Sequence, residues 1–424
     1  MGLTKKKHKP PAKGGRKKKN TSPRKNPVKK ISAAELKKEE ERKRKKRALL
    51  LQEEQRKAGK KKAKHHKKPK ITPDPRQKAP DYVSPELVKI AKSVLSQYKM
   101  DVKDMTVVAT KPKKGGAIWQ VKTKKEVYGL KLLHRRAERS LFSIWAQDYL
   151  VKNKARVPAL IPNKDGRLYV EKGGKLWIVS QWIKTLHQAG KDLEGAQAIC
   201  YGLGEFHHLS RGYIPPAEAE YSSRLNRWPD YYERILTKLG WVKALAQAYH
   251  DTPAGPVLLS AVELFTAQAR EGLNRLRQSP YTVLTARGEH YWGLAHQDYG
   301  WGNAQLGPGG LWVIDLDGVA FDLPIRDLRK LISSIMSDRE KWDLPLIKAM
   351  ISAYHKANPI EQELYEVFLI DLAMPNEFYQ FIKTVVFDPV TFLNKETKNV
   401  LEKMLRGEKS KQSVLRALSG WKVG

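Results

Sequence analysis

The spacing of apolar residues changes twice along this chain, and each change marks a boundary. Through residues 1–80 large apolar side chains are nearly absent, apart from the short cluster Ala48-Leu49-Leu50-Leu51. From Ser84-Pro85-Glu86 onward the pattern becomes regular: Ser84 suits an N-cap, Pro85 suits the first helical position, and a helix is predicted to about Tyr98. Strand-like runs follow at 105–110 (MTVVAT), 117–123 (AIWQVKT) and 127–133 (VYGLKLL). They are punctuated by Lys113-Lys114-Gly115-Gly116 and Thr123-Lys124-Lys125-Glu126. A helix over about 136–152 and the runs 168–170 (LYV) and 176–183 (LWIVSQWI) complete an expected five-stranded antiparallel sheet. Past Ile183 the period becomes helical: Leu193, Ala196, Ile199, Leu203 and Phe206 recur at steps of three and four. Leu258, Val262, Phe265, Ala269, Leu273 and Leu276 do the same. A short hairpin, turned at Gly307-Pro308-Gly309-Gly310, interrupts the helices between 303 and 315, and helices resume from about Pro324. The predicted class is α+β: a small antiparallel-sheet lobe over 81–182, then a large helical lobe over 183–424.

Charge explains why the first 80 residues stand apart. The whole chain of 424 residues carries a formal +37, and residues 1–80 alone hold 32 Lys and Arg against 7 Asp and Glu. Such a composition cannot bury enough apolar surface to offset the cost of ordering, so residues 1–30 are expected to be disordered. Residues 33–64 are rich enough in Ala, Glu, Lys and Leu for a helix with pairs such as Glu39 and Lys43. Residues 71–81 read as a proline-rich linker. Dense lysine without interleaved aromatics fits nonspecific contact with phosphates, nucleic acid or another polyanion, without base reading. It fits equally a multi-lysine cross-linking substrate or a solvated run. The single cysteine, Cys200, lies in a helical pattern and excludes an intramolecular disulfide. No apolar run approaches eighteen residues and no apolar leader core follows Met1, so no membrane association is expected. The expected location is the cytoplasm, or a structure assembled from it.

Within the helical half, the segment AHQDYGWGNAQ stands out because it places His296, Asp298 and Asn303 on one loop, and VIDLDG follows with Asp315 and Asp317. An acid, an amide five residues on, and a second acid after an apolar strand is what phosphoryl transfer from ATP with Mg²⁺ asks for. Asp298 is the candidate base, which orients and deprotonates an attacking hydroxyl. Asn303 and Asp315 are the candidate metal ligands, and Asp317 a further one on the same side of an extended segment. His296 is expected to hold the loop by hydrogen bonds, and Gly300 and Gly302 to let it turn. A loop rich in Asp, Asn and Gly is by itself only a turn; the conjunction with the hairpin and the apolar strand is what carries the signal. Lys131, a charge inside the apolar run YGLKLL, is the candidate phosphate-binding lysine. Gly115 and Gly116 would shape a turn over the phosphates, and Gln181-Trp182-Ile183 would link the lobes and read adenine through its backbone. Asp327 either bonds the catalytic loop or caps its helix, while His207 and His208 read as satisfied histidines. The acceptor pocket is sought in 213–240 and 340–385, near Tyr221, Trp228, Tyr231, Tyr232 and Trp342.

The stretches YGLKLL, SLFSIWAQDYLVKN, LGEFHHLSRGYIPP, HQDYGWGNA and VIDLDGVAFDLPIRDLRKLI resemble the CotS-type spore coat kinases. These are a branch of the aminoglycoside and choline phosphotransferase superfamily, which has the two-lobed protein-kinase-like fold. The resemblance runs from about residue 83 to 424. It implies ATP and Mg²⁺ as cofactors, a small hydroxylated substrate, and association with spore coat proteins, assembled from the mother-cell cytoplasm. By position it gives Asp298 the base role, Asn303 and Asp315 the metal, and Lys131 the phosphates. Two departures qualify it. Where the helix after Lys131 should offer a glutamate to pair with the lysine, the aligned residue is Gln147, which can hydrogen-bond but forms no ion pair, with Glu138 and Asp148 as nearby substitutes. The basic tail has no counterpart. A kinase-fold coat component with weak or no catalysis is therefore the competing expectation.

Overall fold

The structure, a computed structural model, describes residues 83–111, 115–339 and 341–423. The expectations for residues 1–80, both the disordered tail and its helix, lie outside the described residues. The chain divides into two units, Met1–Asp74 and Pro75–Gly424, and all the described residues belong to the second.

Helix α1 (Pro85–Leu95) starts where the sequence places it, with Ser84 Oγ accepting from the Leu87 amide at 3.3 Å. Strands β1 (Val102–Lys111), β2 (Gly116–Thr123) and β3 (Val127–Leu132) form a meander, and helix α2 (Ala137–Lys152) follows. Strands β4 (Val170–Lys172) and β5 (Lys175–Gln181) complete an antiparallel sheet of order β1-β2-β3-β5-β4. Alternation along the strands decides which side each residue serves. Leu130, Leu132, Trp177 and Val179 pack with Ala91, Val94 and Leu95 of α1, where Trp119 stacks on Trp177 at 5.5 Å between centroids. Leu176 and Ile178 point to the other face and pack with Leu141 and Ile144 of α2. Lys131 lies opposite Ile178, and so belongs to this second face.

The rest is helical: α3 (Leu193–Ser210), α4 (Trp228–Ala248), α5 (Gly255–Gln278), α6 (Tyr281–Ala286), α7 (Glu289–Trp292), α8 (Ile325–Ser337), α9 (Leu344–Ala357), α10 (Gln362–Ala373), α11 (Asn376–Ile382), α12 (Pro389–Phe392) and α13 (Lys395–Ser419). One large apolar core joins them, from Phe142 of α2 to Leu418 of α13. Short strands interrupt the helices where the chemistry was expected. Strand β6 (His187–Gln188) pairs with the hairpin β8 (Ala304–Gly307) and β9 (Gly310–Val313). Gly309 (φ 78°) and Gly310 (φ 131°) take backbone angles closed to most residues, which is why this turn needs glycine. Strand β7 (Leu294–Ala295) pairs antiparallel with β10 (Ala320–Phe321). That pairing ties the start of the His296 loop to the end of the Asp317 segment. Among the described residues, no helix is long and apolar enough to cross a membrane.

Candidate active site

The loop after β7 is fixed from beneath by a buried carboxylate. Asp327, in the first turn of α8 and fully buried, accepts from the His296 amide at 2.6 Å and from the Gln297 amide at 3.1 Å. No side chain caps α8, so of the two roles open to Asp327 the structure has the first. The support continues inward. Arg211 donates to Asn358 Oδ1 (2.7 Å), and Asn358 donates to the Tyr354 hydroxyl (2.7 Å). That leaves the Tyr354 hydroxyl to donate to His207 Nδ1 (2.8 Å), and His207 Nε2–H to face Asp327 (3.4 Å). His207 is thus a satisfied core histidine with a purpose: it completes the shell around the carboxylate that holds the loop. Burial opposes ionisation of Asp327, but the His207 hydrogen bond and the charge of Lys330 keep it ionised well below the usual carboxylate range.

His296 is also fully buried. Its Nε2 faces the Ile314 carbonyl at 3.0 Å and its Nδ1 the Asp298 amide at 3.3 Å, which assigns the proton to Nε2. Burial pushes its pKa down, so the ring is neutral and acts as a strut. Asp298 itself is exposed, and Asn303 Nδ2 donates to its carbonyl (2.9 Å) and to its Oδ2 (3.3 Å), which leaves Asn303 Oδ1 as an acceptor. The Ile314 amide donates to the Asn303 carbonyl (2.9 Å), joining the loop to the strand that carries Asp315. Gly300 and Gly302 do not supply the turn: neither has a positive φ or a contact that excludes a side chain. The left-handed position is Gln297 (φ 70°), held by Asp327, by Asp322 Oδ2 on its side chain (3.0 Å) and by Lys330 on its carbonyl.

Asp315 and Asp317 meet Lys131 from across the cleft. Lys131 Nζ lies 2.6 Å from Asp315 Oδ1 and 2.7 Å from Asp317 Oδ1, and Lys111 Nζ reaches Asp315 Oδ2 at 3.2 Å. The two acids are not on one extended segment, as alternation predicted. Asp315 sits in the left-handed region (φ 58°, ψ 57°) and opens a single 3₁₀ turn, Leu316–Gly318. The reversal at Asp315 is what brings both carboxylates to one ammonium. Such a conformation costs about 1–2 kcal/mol in a non-glycine residue and here aims a functional side chain. The lysine holds both carboxylates below their usual range, although burial acts against it, and they in turn raise the lysine above its own. Asp317 Oδ2 is buried without a hydrogen-bond partner and meets His134 Nδ1 only at 3.4 Å.

Gln147 corrects the sequence reading. Its amide nitrogen donates to the Pro158 carbonyl at 2.6 Å, while the partners of Lys131 are Asp315 and Asp317. Gln147 therefore faces the loop after its own helix, at Pro158. The link between the lobes is similarly committed in part. The Gln181 amide donates to Ala159 and the Trp182 amide to Val127, so neither is a donor for a base; Ile183 follows them, half-buried. Gly115 (φ 69°) and Gly116 stand at the β1–β2 turn, where a Cβ on Gly116 would come within 3.1 Å of His134. Sequence reasoning missed Lys111 and His134. Lys111 pairs with Gly116, and Ile118, two residues on, pairs with Lys131, so strand register places both lysines on one face.

Two carboxylates gathered on one cation, an amide oxygen on the adjoining loop and a buried carboxylate oxygen without a partner form a set of hard oxygen donors suited to Mg²⁺. Among the described residues no group of three His, Cys, Asp or Glu side chains is arranged to hold a metal ion, and Asn303 offers an amide oxygen as a further donor.

The architecture around this cleft, a five-stranded sheet lobe over a helical lobe with one inserted hairpin, is the two-lobed protein-kinase-like fold. It is similar to that of an aminoglycoside phosphotransferase from Alicyclobacillus acidocaldarius subsp. acidocaldarius DSM 446, with a TM-score of 0.64 and 16% identity over 81% of this chain and 97% of that one. An amicoumacin kinase in complex with AMP-PNP and Ca²⁺ gives a TM-score of 0.52 at 13% identity, over 81% of this chain and 97% of its own. At such identities the likeness establishes the fold. In sequence the chain is similar to spore coat protein S of Bacillus subtilis (strain 168), 26% identical over 327 residues, which is 77% of this chain and 93% of the relative. No protein-family model matches the chain. This is a kinase-fold protein similar to a spore coat protein.

Proposed function

We propose that the protein is a spore-coat-associated phosphotransferase that moves the γ-phosphoryl group of ATP to a hydroxyl of a small molecule. The observation that carries this reading is the meeting of Lys131, Asp315 and Asp317 beside a loop that presents Asp298 and Asn303. Asn303, Asp315 and Asp317 would hold Mg²⁺, which when bound neutralises charge on the phosphates. Asp298, exposed and backed by Asn303, takes the proton of the attacking hydroxyl. The acceptor oxygen forms its bond to the γ-phosphorus as the bond to the β-phosphate oxygen breaks and ADP leaves. Lys131 shifts from the two carboxylates toward the phosphates, since it cannot serve both fully. The association with the coat rests on the likeness to spore coat protein S.

The test is ATP consumption by the full chain across a panel of hydroxylated compounds. Asp298→Asn is expected to lower kcat about 10²–10⁴-fold while leaving ATP binding intact, the usual worth of a positioned base. Equal turnover by the two proteins would sink the assignment of Asp298. The competing reading, a kinase-fold coat component without catalysis, gains from Lys131 pairing, among the described residues, with Asp315 and Asp317 and with no acid of α2. It is favoured if ATP binds and no member of the panel is consumed.

A further inference from the structure

A cavity of about 770 Å³ opens beside the candidate catalytic loop, with Gln297, the residue before Asp298, in its wall. Its lining is strongly cationic: Arg224, Arg227, Arg234, Arg326, Arg329 and Lys330 face it, against the two acids Asp322 and Glu377. These charges fall into two groups. Arg326 and Arg329 are committed to Asp371 at 3.0 and 3.1 Å, Arg329 also reaches Glu377 at 3.0 Å, and Arg326 lies over the Trp228 ring at 4.1 Å. Asp322 is committed as well, accepting from Trp228 Nε1 (2.7 Å) and Gln297 Nε2 (3.0 Å). Among the described residues the remaining cations form no direct ion pair, although Asp327 lies near enough to Lys330 to act on its charge. Among the described residues no carboxylate pairs with Arg224, Arg227, Arg234 or Lys330, and the three arginines are exposed. Lys330 spends one donor on the Gln297 carbonyl.

The excess continues past the rim. Burial lowers the pKa of Arg139 to about 10, with Arg135 and then Arg224 adding to the effect and Glu220 opposing it. Arg135 Nε and Arg139 Nη1 are buried with no hydrogen-bond partner, a costly arrangement unless an acceptor arrives. Lys330 is held below its ordinary value by burial, with Arg329, Arg326 and Arg224 adding to the effect and Asp327 opposing it. A crowd of like charges beside a reacting loop repels itself until an anion enters.

We propose that this cavity binds the phosphoryl acceptor through a negative charge: the substrate is a hydroxylated compound carrying a carboxylate, phosphate or sulfate group, held by Arg224, Arg227, Arg234 and Lys330. Guanidinium groups suit such oxyanions because they offer paired, fixed donors. An acceptor rich in amines is disfavoured by the same charges. Trp228 and Tyr231 supply an apolar wall for the carbon skeleton. This inference rests on the kinase reading for the word acceptor, but the anion site itself does not.

The experiment is calorimetric titration of the full chain with glycerol 3-phosphate, glucose 6-phosphate and gluconate, beside glycerol, glucose and glucosamine. At least one acid is expected to bind ten-fold or more tightly than its uncharged or amino counterpart, and to weaken with added salt. Arg224→Gln combined with Arg227→Gln and Arg234→Gln should abolish that preference while ATP binding is unchanged. Asp315→Ala should retain it, which separates this cavity from the phosphate-binding cleft. Acids that bind no better than glucose or glucosamine, or binding indifferent to the three arginines, overturn the proposal even if ATP and Mg²⁺ bind as expected. Acid binding retained in a protein that does not bind ATP instead removes the kinase reading and leaves the anion site standing.

Discussion

The floor of the Asp298 loop and the wall around Lys131 are built on opposite plans. Beneath the loop, one buried carboxylate, Asp327, is surrounded by backbone amides and a chain of polar side chains. Around Lys131, four charged groups neutralise one another across a cleft, and two of them are the expected ligands of a metal. A hydrogen-bonded floor has one good arrangement and stays put. A cluster of charges can exchange one cation for another. The difference separates what holds the site in shape from what must change partners when nucleotide and metal arrive.

That contrast is open to breaking. Asp327→Ala should have the largest effect on stability, about 3 kcal/mol or more, because it orphans two backbone donors and His207 at once. Denaturant unfolding of the variant measures it, and added Mg²⁺ should not restore the loss. The same carboxylate sets an acid limit. Its folded pKa lies below the unfolded value near 3.9, so its contribution is present above that pH and is lost as pH falls through the folded value. Buried His296 adds an earlier decline, since its lowered pKa favours the folded state above about pH 6.5 and works against it below. A stability profile flat from pH 7 to 3 contradicts both.

Lys131→Met should come next, costing about 2–3 kcal/mol without metal because Asp315 and Asp317 are then left with Lys111 as their neighbouring lysine. Here millimolar Mg²⁺ is expected to recover a large part of the melting temperature, which it does not do for Asp327→Ala. Equal insensitivity of the two variants to Mg²⁺ would erase the distinction between floor and cluster. The smallest effect belongs to Gln147→Glu, the change that supplies the acid expected on α2. It should lose about 1–2 kcal/mol by setting a carboxylate against the Pro158 carbonyl, and should not tighten ATP binding. A gain in ATP affinity would show that the side chain reaches Lys131 after all.

The sheet, the hairpin and the positions of Lys131, Asp298, Asn303 and Asp315 were legible in the sequence because each rests on local pattern. Alternation sets Lys131 apart from Leu130 and Leu132, and the Gly-Pro-Gly-Gly turn fixes the hairpin. What was not legible depends on contacts distant in sequence. The relay from Arg211 to Asp327 joins three helices, and no spacing rule connects them. The left-handed angle at Asp315 reverses the alternation that put Asp317 on an extended segment, and nothing in the residue type announces it. Gln147 was placed by counting along a helix, and counting does not show that its amide is taken by the Pro158 carbonyl. The cavity beside the loop is lined by Trp228 and Tyr231 from the sought stretches, whereas Tyr232 is a buried partner of Asp371. The arginines that define the chemistry there are spread over 224–234 and 326–330 and converge only in three dimensions.

The central claim is that Lys131, Asn303, Asp315 and Asp317 form a metal-dependent nucleotide site. Calorimetric titration of the full chain with ATP, with and without Mg²⁺, tests it most directly. Binding that strengthens at least ten-fold with Mg²⁺, and loses that gain in Asp315→Ala, is the expected result. No binding in the wild type, or binding of equal strength with and without the metal and in both proteins, contradicts it.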